Sequence, residues 1–177
     1  MADKYNTYDN TLSQPNYNQS RENQLLRQFT FDDPKGWLIM DTFNNPFFPL
    51  DVIQVDTERF DLDKIKTDYH KYYGGKPDDL FLPWHYTIEY VQGRPYIINT
   101  RPFNYLSTIK SYEKHLSIMI IGDSNKDIYS PKFYQTIANL INPFRYMRGF
   151  YLSNQKNIFE FKTGENFNKN YLFSLIR

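Results

Sequence analysis

The chain of 177 residues contains no cysteine, and Ala2 and Ala138 are its alanines. Without thiols there is no disulfide framework, no thiolate metal site and no cysteine nucleophile. Glycine is sparse and forms no phosphate-cradling loop. No purely apolar run exceeds four residues, as at Ile118 to Ile121, far short of the ~20 that span a bilayer. The opening, MADKYNTYDN, lacks the apolar centre of a signal peptide. A soluble protein with no membrane partner is expected. The net charge is +1 and the isoelectric point about 7.8. A protein built to neutralise a phosphate backbone carries a clear excess of Lys and Arg, so nucleic acid is not expected as a direct ligand.

What the chain has in abundance is aromatic side chains, with 16 Tyr and 15 Phe. Alongside many Asn, Lys and Ile, this is the usage of an AT-rich genome. Its structural meaning is a core filled by rings, with tyrosine hydroxyls left near the surface.

Residues 1–28 contain no Val, Ile, Phe or Trp. Such a segment cannot bury enough apolar surface to offset the entropy of ordering. It is expected to be an extended polar arm, with Leu12, Tyr17, Leu25 and Leu26 as its adhesive points. Residues 29–177 read as one globular domain. Trp37 to Met40 reads as a buried strand, and Val52 to Val55 as a second. Asn44 to Pro49 is an aromatic loop pinned by two prolines. Asp61 caps a helix on which Leu62, Ile65, Tyr69 and Tyr72 share one face, and Gly74-Gly75 stops it. Tyr86 to Tyr90 alternates, turns at Gln92 to Pro95 and returns through Tyr96 to Asn99 as a hairpin. Tyr105, Leu106, Ile109 and Tyr112 fit a helix moderately. Leu116 to Ile121 is the most strand-like run. Ser130-Pro131 starts a helix whose stripe is Phe133, Ile137, Leu140 and Ile141, ended by Asn142-Pro143. Phe150 to Leu152 and Ile158 to Phe161 flank a polar turn as a second hairpin, and a polar tail follows from Asn166. The fold class expected is α+β: a single compact domain with a small mixed sheet containing two β-hairpins, two to three helices and the N-terminal arm.

Chemistry is announced at one place. Ile118 to Ser124, ending in Gly-Asp-Ser, resembles the strand that presents the nucleophile in SGNH esterases. That family needs a catalytic Asp and His downstream. Here His70, His85 and His115 all precede Ser124, so the triad has no base. Gly122, Asp123 and Asn125 are turn formers, and Ser124 is expected in a turn. His85, beside Trp84, is expected to be a satisfied, half-buried histidine. Asp32-Asp33 and Asp78-Asp79 lie beside prolines in turn-like segments. No His or Cys cluster has metal-ligand spacing, so neither a metal nor another cofactor is expected. Arg145, Arg148 and Lys156, interleaved with Tyr146, Phe150 and Tyr151, form the one basic–aromatic cluster, read as the rim of a protein interface.

Trp84-His85-Tyr86-Thr87-Ile88, the Gly93-Arg94 turn and Ser117 to Gly122 resemble, in order and spacing, the phage-lysozyme-type zinc amidases and peptidoglycan-recognition domains. Those carry a Tyr-His-Phe-x-Ile strand, a glycine turn, a returning strand and a Ser-Ile-Gly-Ile run leading to a helix. The resemblance implies that fold. It also implies a first zinc histidine at the end of the earlier strand, where this chain is read to have Val55-Asp56. Two further ligands belong near the C-terminus, where there is neither His nor Cys, and Trp84 holds the catalytic tyrosine position. Catalytic zinc takes three protein ligands. The expectation is therefore that the chain is not an enzyme, with an inactive peptidoglycan-binding module as one function.

The arm, the segment DPKGWLIMDTFNNPFFPLDVIQVDT and the segment LPWHYTIEYVQGRPYIINTRP resemble small virion proteins of crAss-like tailed bacteriophages. That resemblance implies a structural protein of the virion, assembled in the bacterial cytoplasm, in several copies in a head–tail or tail ring. Its partners would be copies of itself and other virion proteins, with no small-molecule substrate. The expected contact residues are Leu12, Tyr17, Leu25, Leu26, Phe43, Phe47, Phe48, Arg145 and Arg148. A nucleic-acid-associated accessory role through the Arg145 to Lys156 cluster is the remaining alternative.

Overall fold

The computed structural model describes residues 34–47, 65–67, 82–91, 94–146 and 158–176. Within them the chain forms one five-stranded mixed sheet, built from β1 (Gly36–Asp41), β2 (Tyr86–Val91), β3 (Arg94–Asn99), β4 (His115–Ile121) and β5 (Phe159–Lys162). The strand order is β3-β2-β4-β1-β5. β2, β4, β1 and β5 run parallel to one another, and β3 returns antiparallel beside β2. This is the α+β domain that the sequence predicts, and β2 and β3 are the predicted first hairpin.

β1 and β4 read as unbroken apolar runs because both of their faces are covered, the usual pattern of central parallel strands. Alternation along each strand divides the side chains between two cores. Trp37, Ile39, Ile88, Leu116, Ile118, Ile120 and Phe159 enter the larger core. Leu38, Met40 and Met119 enter the smaller one, closed by Ile65, Leu82, Trp84 and Ile109.

The larger core is roofed by α1 (Pro131–Ile141), which buries Phe133, Tyr134, Ile137, Ala138 and Ile141. Ser130 caps it by accepting from the Phe133 N–H, and Pro131 occupies the first turn. A 3₁₀ helix, Asn142–Tyr146, follows directly. The stretch from residue 166, expected as a polar tail, is instead capped by Asn168 and forms α2 (Lys169–Leu175) with Leu172 buried. It lies against α1, with the rings of Tyr134 and Tyr171 edge to face at 5.5 Å.

Residues 103–113, which fit a helix moderately by spacing, form a series of turns. Leu106 and Ile109 are buried, but side chains take local backbone groups. Arg101 Nε donates to Leu106 O at 2.7 Å, and Ser107 Oγ accepts from Ile109 N at 3.1 Å. Such bonds compete with helical ones, and Ser111 adopts φ 73°. Of the helix expected after Asp61, Ile65–Thr67 is described and helical, with Ile65 buried. The strand expected at Val52 to Val55 and the first strand of the second hairpin, Phe150 to Leu152, lie outside the described residues. The expected returning strand of that hairpin is β5, which pairs in parallel with β1.

Candidate functional site

The carboxyl ends of adjacent parallel strands are where open sheets of this kind hold ligands. Here β4, β1 and β5 end side by side, and the loops that follow them meet. Each loop brings polar residues with turn chemistry: Asp41-Thr42-Phe43-Asn44, Gly122-Asp123-Ser124-Asn125 and Thr163-Gly164-Glu165-Asn166.

Asp41 is the centre of the cluster and is fully buried. Its Oδ1 accepts from Phe43 N at 3.0 Å, Asn44 N at 2.7 Å and Asn44 Nδ2 at 2.8 Å. Its Oδ2 accepts from Asn44 Nδ2 at 2.8 Å, from Ser124 N at 3.2 Å and from the Ser124 hydroxyl. Ser124, also fully buried, accepts in turn from Gly164 N at 2.5 Å. One hydroxyl therefore links the ends of all three strands. As the sequence predicts, Ser124 sits in a turn, closed by Lys126 N and Asp127 N on Asp123 O.

Further ties surround this centre. Thr42 Oγ1 donates to Gly122 O and accepts from Gly122 N, both at 3.0 Å. Asn125 Nδ2 donates to Asn44 Oδ1 at 2.6 Å, while Asn125 Oδ1 accepts from Glu165 N at 3.1 Å. Asn166 N donates to Ser124 O at 2.8 Å. Two glycines are required by this closeness. A Cβ on Gly164 would collide with the Asn125 backbone. Gly122 sits at φ 152° with Asp127 Oδ2 2.6 Å from where a Cβ would stand.

The rim is electronegative. Burial, then the carboxylates of Asp127 and Asp41, push the Tyr129 hydroxyl up, so it stays protonated at every physiological pH. Beside it, an open groove of about 610 Å³ runs along Thr163 to Asn170. Its lining is polar, with the amides of Asn166, Asn168 and Asn170 beside the charged side chains of Glu165 and Lys169.

His85 lies at the opposite, amino-terminal end of β2. It is fully buried, not half-buried as expected. Its Nδ1 accepts from Ser117 N at 3.1 Å and its Nε2–H donates to Tyr105 O at 2.6 Å. Burial lowers its pKa from 6.5 to about 3. It is a neutral structural group.

Of the contact residues expected from sequence, Leu12, Tyr17, Leu25, Leu26, Phe48 and Arg148 lie outside the described residues. Phe43 follows β1 and is exposed. Phe47 is half-buried against the smaller core, its ring 5.3 Å from that of Tyr112. Arg145 belongs to the 3₁₀ helix after α1. Asp41 and Gly164 were not singled out from sequence. The available signal was that two apolar runs, Trp37 to Met40 and Ile118 to Ile121, each lead into an Asp with a hydroxyl residue beside it.

No protein-family model matches the chain, and no curated protein matches its sequence. Solved structures do match its fold. N-acetylmuramoyl-L-alanine amidase LysC from Clostridium intestinale superposes with a TM-score of 0.51 at 16% identity, over 82% of this chain and 87% of that one. AmpD superposes with a TM-score of 0.54 at 14% identity, over 87% of this chain and 90% of that one. These matches bear out the resemblance carried by Trp84 to Ile88 and Ser117 to Gly122, and they lend nothing to the virion resemblance. They also overturn the expectation that the chain is not an enzyme, because a solved protein that shares its fold is an N-acetylmuramoyl-L-alanine amidase.

β1, which pairs with β4, ends at Asp41; Val55-Asp56, where the resemblance puts the first zinc histidine, lies outside the described residues. Among the described residues no group of three His, Cys, Asp or Glu side chains is placed to hold a metal. Asp41 itself does not fit a zinc ligand, because its lone pairs already serve five N–H and O–H donor groups. The chain shares its fold with the amidase LysC and with AmpD.

Proposed function

We propose that the chain recognises the junction between N-acetylmuramic acid and L-alanine in peptidoglycan, at the rim where β4, β1 and β5 end. The observation that carries this reading is the fold shared with the amidase LysC over 82% of this chain and 87% of that one, and with AmpD over 87% and 90%. The rim supports it, because three strand-end loops converge there beside a groove. Asparagine amides line it, and they complement the acetamido, hydroxyl and peptide groups of a muropeptide.

The test is incubation of the purified chain with isolated sacculi and with soluble muropeptides. Co-sedimentation reads binding, and mass spectrometry reads new alanine amino termini. Retention with release marks an amidase; retention without release marks a holding protein of the same specificity. A chain that neither sediments nor releases anything removes the reading.

Phe43, 43% exposed beside the rim, offers an apolar contact point for a second reading. We propose that the chain works within a phage particle in several copies, with Phe43 and the arm contacting its own copies or other virion proteins. Light scattering on the full chain and on a chain beginning at residue 29 tests it. A discrete oligomer that falls to monomer without the arm supports it, and a monomer in both removes self-assembly.

A further inference from the structure

We propose that this chain closes the strand-end rim with a hydrogen-bond clamp, Asp41–Ser124–Gly164, in place of a metal ion. Folding and loop closure then need no divalent ion. The inference rests on the functional reading only in taking the rim as the site.

The argument begins with the valence of Asp41. A carboxylate offers about four lone-pair directions. Those of Asp41 meet Phe43 N, Asn44 N, Asn44 Nδ2, Ser124 N and Ser124 Oγ. A metal ligand must present a free lone pair to the ion. For Asp41 to do so, the turn after β1 or the turn after β4 would lose its bonds to the carboxylate, the buried Ser124 N–H among them.

Ser124 is equally committed. Its hydrogen goes to Asp41 and its oxygen accepts from Gly164 N. The hydroxyl does what a bridging ion does in a metal-closed loop cluster, joining groups far apart in the chain through one atom. Thr42 with Gly122, and Asn125 with Asn44, Glu165 and Asn166, form an outer layer around it. The close approach at Gly164 leaves no room for a side chain between the loops, so the clamp is a built contact and not an incidental one.

The experiment uses the full chain. Its metal content is measured by inductively coupled plasma mass spectrometry, and its thermal transition is followed in EDTA, in buffer and in zinc chloride. Substoichiometric metal and a midpoint unmoved across the three conditions are expected. Ser124→Ala is expected to lower the midpoint by several degrees, equally in EDTA and in zinc. Stoichiometric zinc whose removal lowers the midpoint overturns the proposal, as does a midpoint that climbs with added zinc. Neither needs a variant, so a Ser124→Ala chain that fails to fold leaves the test intact. Sacculus binding in EDTA and in zinc separates this inference from the functional reading. Binding only in zinc overturns the clamp. Binding in neither removes the functional reading, while the melting result still decides the clamp.

Discussion

His85 and Ser117 are locked together across β2 and β4: the Ser117 N–H points at His85 Nδ1 at 3.1 Å, and the His85 N–H returns to Ser117 O at 3.1 Å. An N–H can only donate and the Tyr105 carbonyl can only accept, so the ring is fixed as the neutral Nε2–H tautomer.

Acid should therefore weaken the fold well before its carboxylates protonate. The folded pKa of about 3 lies below the ordinary 6.5. A depressed histidine gives its full stabilisation above the unfolded pKa and loses it as pH falls towards the folded one. From about pH 7 to about pH 5 the loss amounts to about 2 kcal/mol, at 1.4 kcal/mol per pH unit below 6.5. His115, lowered mainly by burial, acts in the same direction. Urea unfolding at a series of pH values reads this, and a flat profile over that range would falsify the neutral, buried assignment of His85.

Ser124→Ala removes a donor to Asp41 and the acceptor of Gly164 N. Buried groups left without partners cost about 1–3 kcal/mol. The loss should appear in equilibrium unfolding, and unchanged stability would mean that the hydroxyl links nothing.

Gly164→Ala and Gly122→Ala test the same rim by volume and by backbone. The first forces a methyl into the Asn125 backbone, and the second puts a side chain at φ 152°. Overpacking and backbone strain each cost about 1–3 kcal/mol. Muropeptide binding should weaken with them. A surface substitution such as Lys132→Ala, on exposed α1 positions, should leave both stability and binding as they were.

In the larger core, Phe133 is fully buried and stacks on Tyr129 with ring centroids 4.1 Å apart. Phe133→Ala should cost about 3–5 kcal/mol. Ser130→Ala removes only the cap and should cost about 1 kcal/mol. Denaturant midpoints that reverse this order would show that α1 is held by its end and not by its buried face.

These contrasts indicate what a sequence displays. α1 was legible because its signals are local: Ser130, Pro131 and a stripe at helical spacing. The β2–β3 hairpin and the apolar runs of β1 and β4 were legible for the same reason. Strand order was not, because the pairing of Trp37 with both Leu116 and Phe159 is written in no single stretch. Asp41 carries no motif of its own and acquires meaning only when Ser124 and Gly164 arrive beside it. α2 was missed because its cap is an Asn within a polar stretch and its buried contribution is a single Leu172.

The clamp also orders events in time. It joins positions separated by 83 and by 40 residues, and contacts of such long range form late and slowly. During synthesis, β1 and β4 can leave the ribosome and pair while the rim still gapes. Only when residue 164 emerges can the third loop seat on Ser124. A ribosome stalled earlier would hold a chain with its sheet begun and its binding edge unfinished.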